Sequence, residues 1–170
     1  LDEEASAFDN FHATRDAVWM AEVAEESTHV WSTKPRIAVF LGAMRHFRET
    51  LLARGVTVHY LALSDPANPG TLQAALTGAI GRLRPQALGM TAPGDWRVLL
   101  ALRDVARHHQ LPLHLSDDRH FFSTVREFAD HARTHRPLRM EYWYREMRQR
   151  FGILMEQGKP VGGRWNFDTD

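Results

Sequence analysis

Short apolar runs alternate with longer stretches of helical periodicity along the whole chain, and this alternation restricts the fold more than any other feature. Residues 17–23 (AVWMAEV) and 56–63 (VTVHYLAL) read as buried strands, and residues 87–91 (ALGMT) and 112–116 (PLHLS) as shorter ones. Between the first two, Ser32 or Thr33 can cap a helix with Pro35 in its first turn. Its apolar residues Ile37, Phe40, Leu41, Met44, Phe47 and Leu51 recur in steps of three and four and make one wide stripe, until Gly55 stops the helix. Further helices are predicted over residues 71–83, 95–108, 124–133 and 139–155, the first of them weakened by Gly78 and Gly81. Strands alternating with helices predict an α/β sandwich with a mainly parallel sheet. Ligands in such sheets bind at the carboxyl ends of strands, near a topological switch point. Two segments therefore attract attention, the loop over residues 24–33 and the one over residues 92–95. Residues 64–70 (SDPANPG) form a surface loop rather than a domain boundary.

Composition narrows the classes of function. A chain of 170 residues, 44% hydrophobic and 25% charged, fits one soluble domain with a real core. No apolar run approaches the length that spans a bilayer, and the acidic residues 1–10 do not resemble a signal peptide, so a cytoplasmic setting is expected. With no cysteine, the chain can form no disulfide, thiol nucleophile or Cys-ligated cluster. Lys plus Arg and Asp plus Glu both number 21, so net charge does not argue for nucleic-acid binding.

Local motifs give few leads. His131 and His135 are spaced as a helical metal pair, and His108 with His109 or His114 with His120 invite the same thought, but no third ligand is evident and scattered histidine is the simpler reading. Glu25 with Glu26 and Asp117 with Asp118 are neighbours whose side chains diverge, a poor acid–base geometry. Residues 139–150 mix Tyr142, Trp143 and Tyr144 with Arg139, Arg145, Arg148 and Arg150. That mixture suits single-stranded nucleic acid. A core helix is favoured instead, with Met140, Trp143, Met147 and Phe151 as its packing face and Glu141–Arg145 as an i,i+4 pair. No GxGxxG, P-loop or GxSxG pattern occurs.

Three blocks carry a family resemblance: residues 22–29 (EVAEESTH) running on to 40–47 (FLGAMRHF); 91–98 (TAPGDWRV); and 139–148 (RMEYWYREMR) followed by 162–168 (GGRWNFD). In order and spacing the chain resembles deoxyribodipyrimidine photolyase-related proteins, the bacterial cryptochrome/photolyase branch with an iron–sulfur cluster. The resemblance implies a Rossmann-like domain of the photolyase antenna type, its mainly parallel sheet flanked by helices and lacking its first strand, which would precede Leu1 and end in a Gly-Asp-Gln turn. Residues 1–137 would be the antenna-type domain. Residues 138–170 would lead to an absent helical domain holding FAD and a four-iron cluster, with Trp165 and Phe167 as anchors. The parent flavoprotein is expected to repair (6-4) lesions in damaged DNA with light, as a lyase. This chain is expected to be non-catalytic and to self-associate through its exposed junction.

The same resemblance implies an antenna chromophore, 6,7-dimethyl-8-ribityllumazine, at the carboxyl end of the sheet. Val23, Glu26 and His29 would form its wall, with Phe40 across from them and Gly94 and Asp95 approaching from the second loop. A carboxylate can accept hydrogen bonds from a pterin-like ring, and an aromatic gives apolar cover. Read without the family, Glu26 is an exposed loop carboxylate, Phe40 a core residue and residues 93–95 a turn opening a helix. Ala92 stands where family members often have Glu, and the turn before Leu1 would form part of the pocket, so weak or absent chromophore binding is expected of this chain. The alternatives are a stand-alone nucleotide- or pterin-binding α/β protein and an inactive truncated remnant.

Overall fold

The structure, a computed structural model, describes residues 1–167. Asp168, which closes the third family block, lies outside the described residues. The chain divides into two compact units, Leu1–Asp118 and Arg119–Asp170. The sequence drew its boundary later, at 137/138.

The first unit is α/β, as the alternation predicts. Its strands are β1 (Val18–Ala21), β2 (Val58–Leu61), β3 (Leu88–Thr91) and β4 (Leu113–Ser116). Its helices are α1 (Ala24–Thr28), α2 (Lys34–Ala53), α3 (Leu72–Leu83) and α4 (Trp96–His108). β1 pairs with β2 in parallel, Val18 opposite Val58 and Ala21 opposite Leu61, and β3 pairs with β4 in parallel, Leu88 opposite Leu113. No strand joins the two pairs among the described residues, so each strand has one edge without a strand partner. Both pairs nevertheless share one core. Leu76 and Ile80 of α3 pack with Leu102 and Val105 of α4, and Trp19 of β1 and Leu88 and Met90 of β3 pack against them. Burying each such aliphatic side chain stabilises the fold by roughly 1.5–3 kcal/mol.

Local chemistry sets the helix ends. The Thr71 hydroxyl accepts from the Ala74 amide at 3.4 Å and the Asp95 carboxylate from the Arg97 amide at 2.8 Å, each satisfying a donor at a helix start. A 3₁₀ turn, Ser6–Phe8, ties the N-terminus to the second strand pair: the Ser6 hydroxyl donates to the Asp117 carbonyl at 2.7 Å and lies 3.1 Å from the Thr91 hydroxyl.

Three expectations need correction. The segment 24–33, expected to be a loop, holds one helical turn, α1. Phe40 leaves the core stripe: it is 58% exposed, with the Arg36 guanidinium over its ring. The last helix ends early, as shown below.

The second unit contains α5 (Val125–Thr134), α6 (Met140–Phe151) and a hairpin of β5 (Met155–Glu156) and β6 (Lys159–Pro160). α5 begins in a capping box, the Thr124 hydroxyl accepting from the Glu127 amide while the Glu127 carboxylate accepts from the Thr124 amide. α6 stops at Phe151 because Gly152 turns left-handed, with φ of 66°. Gln157 and Gly158, with φ of 48° and 76°, then make the tight turn between β5 and β6, and the predicted helix had run on as far as Met155 at the start of that hairpin. Trp143 and Met147 are buried as predicted, whereas Met140 and Phe151 are exposed.

Candidate functional site

The carboxyl ends of β1 and β2 are knitted together by Glu22, the residue that follows β1. Its amide continues the ladder to the Leu61 carbonyl at 2.9 Å. Its side chain is fully buried, yet every need of its charge is met. Arg45 of α2 grips it as a fork, Nε to one oxygen at 2.7 Å and Nη2 to the other at 2.9 Å. The Tyr60 hydroxyl and the Leu63 amide, the latter at 2.8 Å, also donate to it. The Arg45 bond chiefly, helped by Tyr60 and Leu63 against the cost of burial, lowers the Glu22 pKa to about 2. Burial, reinforced by Glu22, pushes the Tyr60 phenol up to about 12. Asn68 completes the edge: its amide donates to the carbonyls of Glu22 at 2.6 Å and Ala62 at 2.8 Å. Gly70, held by Asn68, accepts from the Glu25 amide at 3.0 Å and so seats the start of α1.

On this platform the predicted residues take up their places. Val23 is buried and stands at the start of α1. Glu26 lies exposed on α1 and His29, also exposed, ends it. Asp95 starts α4 beyond the end of β3, and Gly94 before it is exposed, with open space where a side chain would stand. Arg97 joins the two loops. Its Nη2 lies 3.0 Å from each Glu26 oxygen and 3.3 Å from Asp95. The Glu26 hydrogen bond foremost raises the Arg97 pKa above its ordinary value. Asp95 is held below the usual carboxylate range: burial opposes this, but the amides of Arg97 and Val98 outweigh it. The Glu26–Arg97 side chains are 39% and 33% exposed, so the pair is worth about 0–1 kcal/mol and opens easily. Glu26 and Asp95 are thus brought together through a residue that sequence reasoning passed over, although Arg97 lies inside the second block. No contact joins His29 or Phe40 to this group among the interactions described.

The fit of a chromophore to these residues can be judged from their donors and acceptors. Glu26 offers acceptor oxygens and Arg97 a buried Nε–H without an acceptor, beside a glycine with free space above it. A ring bearing adjacent N–H and C=O groups suits that set.

A model of the family described as deoxyribodipyrimidine photo-lyase-related protein matches residues 1–170. The chain belongs to that family. It is also 37% identical, over all of its 170 residues, to a protein named (6-4) photolyase from Agrobacterium fabrum (strain C58 / ATCC 33970). The match covers 34% of that relative, so the chain spans about a third of its length. A photolyase-related N-terminal α/β domain is the assignment this supports, and a stand-alone nucleotide or pterin binder is not favoured.

Other features of this photolyase-related domain involve different residues. Among the described residues, one cleft of about 490 Å³ is lined by His131, His135, Tyr142, Arg145 and Trp165, and another of about 360 Å³ lies beside Leu1, Phe47 and Arg54. Neither is lined by the predicted antenna residues. His131 and His135 stack with ring centroids 3.9 Å apart, and each turns Nδ1 to a partner, Glu146 at 2.7 Å and the His131 carbonyl at 3.0 Å. Among the described residues no group of three potential metal ligands assembles. The basic side chains of α6 are engaged by neighbouring protein groups. Arg145 pairs with Glu141, Arg150 with Glu127 at 2.7 Å, and buried Arg148 donates to the carbonyls of Ile153 and Leu154. Trp165 lies under Arg145 and Arg148, 5.4 and 5.2 Å from ring centre to guanidinium. Phe167 folds over Gly162, where an added side-chain carbon would meet its ring at 2.6 Å. The core-helix reading of α6 thus explains its arginines. No helix among the described residues is long and apolar enough to cross a membrane.

Proposed function

We propose that this chain is the antenna-type module of a photolyase-related flavoprotein that repairs pyrimidine (6-4) lesions in DNA, a cytoplasmic lyase whose FAD and four-iron cluster lie in a helical domain beyond this chain. The observation that carries the proposal is the convergence of Glu26 and Asp95, from two different strand ends, on Arg97. Val23, Glu26, His29, Gly94 and Asp95 would hold 6,7-dimethyl-8-ribityllumazine, with Phe40 as apolar cover. When bound, the chromophore supplies light absorption and passes excitation to the flavin. The chain's own residues bind and orient it, and none of them takes part in bond breaking. Ala92 provides no carboxylate, so weak or absent binding is expected of this chain by itself.

The parent's activity is tested first by the coding region on either side of this segment, which should encode in frame an upstream strand and a downstream cysteine-bearing helical domain. The protein expressed from that full frame should then reverse (6-4) photoproducts in DNA under blue light and not in the dark. A full frame without those cysteines, or light-independent lesion loss, would contradict the proposal.

A further inference from the structure

Two histidines of the second unit carry a chemistry that the antenna reading does not use. His131 on α5 is buried, and His135, one turn later, caps the end of the same helix and is exposed. Their rings stack with centroids 3.9 Å apart and planes within 12° of parallel. His131 turns Nδ1 to a Glu146 carboxylate oxygen at 2.7 Å, and His135 turns Nδ1 to the His131 carbonyl at 3.0 Å. Both partners only accept hydrogen bonds, so each Nδ1 carries a proton and each neutral ring keeps a lone pair on Nε2. The Thr134 hydroxyl, also 3.0 Å from the His135 Nδ1, has the His131 carbonyl as its own acceptor at 3.0 Å. The His131 Nε2 is buried and makes no hydrogen bond. Phe128 and Trp143 pack around that ring, with centroids 6.4 and 4.7 Å away, and leave the nitrogen unpaired. Buried polar atoms rarely stand unpaired, so this one points to a missing partner.

Metal-ligating histidines are held in this way. The far ring nitrogen donates to a carboxylate or a carbonyl, which fixes the ring and keeps the near nitrogen basic. An ion bound to two imidazoles at about 2.0–2.1 Å keeps their nitrogens within about 4.2 Å of each other, and the two ring centres already lie inside that span. Both histidines line the cleft of about 490 Å³, which gives an ion a way in and leaves room for its water. We propose that His131 and His135 bind one borderline divalent cation, of the zinc, nickel and copper class, through their Nε2 atoms. Imidazole nitrogen suits that class, whereas magnesium and calcium prefer oxygen. His135, exposed at the helix end, turns off the stack and presents its lone pair beside that of His131. No set of three protein ligands assembles among the described residues, so water fills the remaining positions. The bound ion pins the last turn of α5, and the Glu146 contact passes that restraint to α6.

The test is a zinc titration of the metal-free 170-residue chain, at about pH 7.5 where imidazole is neutral, followed by calorimetry and by melting temperature. One site per chain should fill, and saturating zinc should raise the melting temperature above its value in EDTA, because the ion binds the folded helix end and not the unfolded chain. His135→Ala and His135→Gln should each weaken zinc by at least about tenfold, since even the partners behind a metal ligand are worth that much. His108→Ala, which removes an exposed histidine of the first unit, should leave zinc binding unchanged. Absence of a zinc site in the unaltered chain, binding that survives in both His135 variants, or an equal loss in His108→Ala would overturn the proposal. None of these outcomes bears on the antenna reading, which rests on other residues.

Discussion

Glu22, which extends β1, and Glu26, on α1, belong to the same stretch of chain, and they live under opposite physical regimes. Glu22 is sealed from solvent, held by a guanidinium fork, a phenol and an amide, and its charge is fixed by that shell. Glu26 stands in solvent with a single nitrogen shared between its oxygens. The first arrangement is stiff and cannot be opened without leaving an unpaired charge in the interior. The second is cheap to open. A binding loop needs both, a rigid platform and a replaceable contact on it. The contrast assigns architecture to Glu22 and ligand recognition to Glu26.

The largest effect should come from removing Glu22. Glu22→Ala leaves Tyr60 and the Leu63 amide without an acceptor and should cost about 3–5 kcal/mol of stability in urea denaturation. A loss below about 1 kcal/mol would mean that Arg45, half exposed, simply swings into water. Acid should act through the same group. The folded pKa of Glu22, about 2, is depressed from the ordinary 4.5, so its contribution is complete above about pH 4.5 and disappears as pH falls through about 2. Over that window roughly 3 kcal/mol should be lost. Glu22→Gln should flatten the profile there, which pH-dependent melting would show. Tyr60→Phe removes one donor to the carboxylate while keeping the ring under Arg48, and should cost about 1–2 kcal/mol by the same denaturation assay. The smallest effect belongs to Glu26→Gln, which should change stability by less than about 0.5 kcal/mol and remove little salt dependence. A Glu26 variant as unstable as the Glu22 variant would erase the distinction.

The sequence announced these two carboxylates unequally. The alternation of strands and helices was legible because each run keeps one period, and the helix starts at Thr71, Asp95 and Thr124 each carry an oxygen that accepts a backbone hydrogen bond there. The family blocks pointed to Glu26 and Asp95. Glu22 sat in the first block without being chosen. Its signal was a carboxylate closing an apolar strand, which demands a cation and donors, but Arg45 and Tyr60 come from elements 23 and 38 residues away and only the fold selects them. Arg97 escaped for the same reason, since its partner is 71 residues distant. Phe40 was misread because helical periodicity ranks positions on a stripe without showing how far the neighbouring layer reaches. It is exposed although Ile37, one turn earlier on the same stripe, is partly covered. The 155–160 hairpin was hidden by a helical pattern that continues beyond Gly152. The left-handed Gln157–Gly158 turn was its one local cue.

Equilibrium binding of 6,7-dimethyl-8-ribityllumazine to the unaltered chain and to the Glu26→Gln variant, both checked for equal melting temperature, separates platform from contact in a single experiment. Weak saturable binding to the unaltered chain, weakened by about tenfold or more in the variant, is the expected result. Identical binding by both proteins would contradict the role given to Glu26.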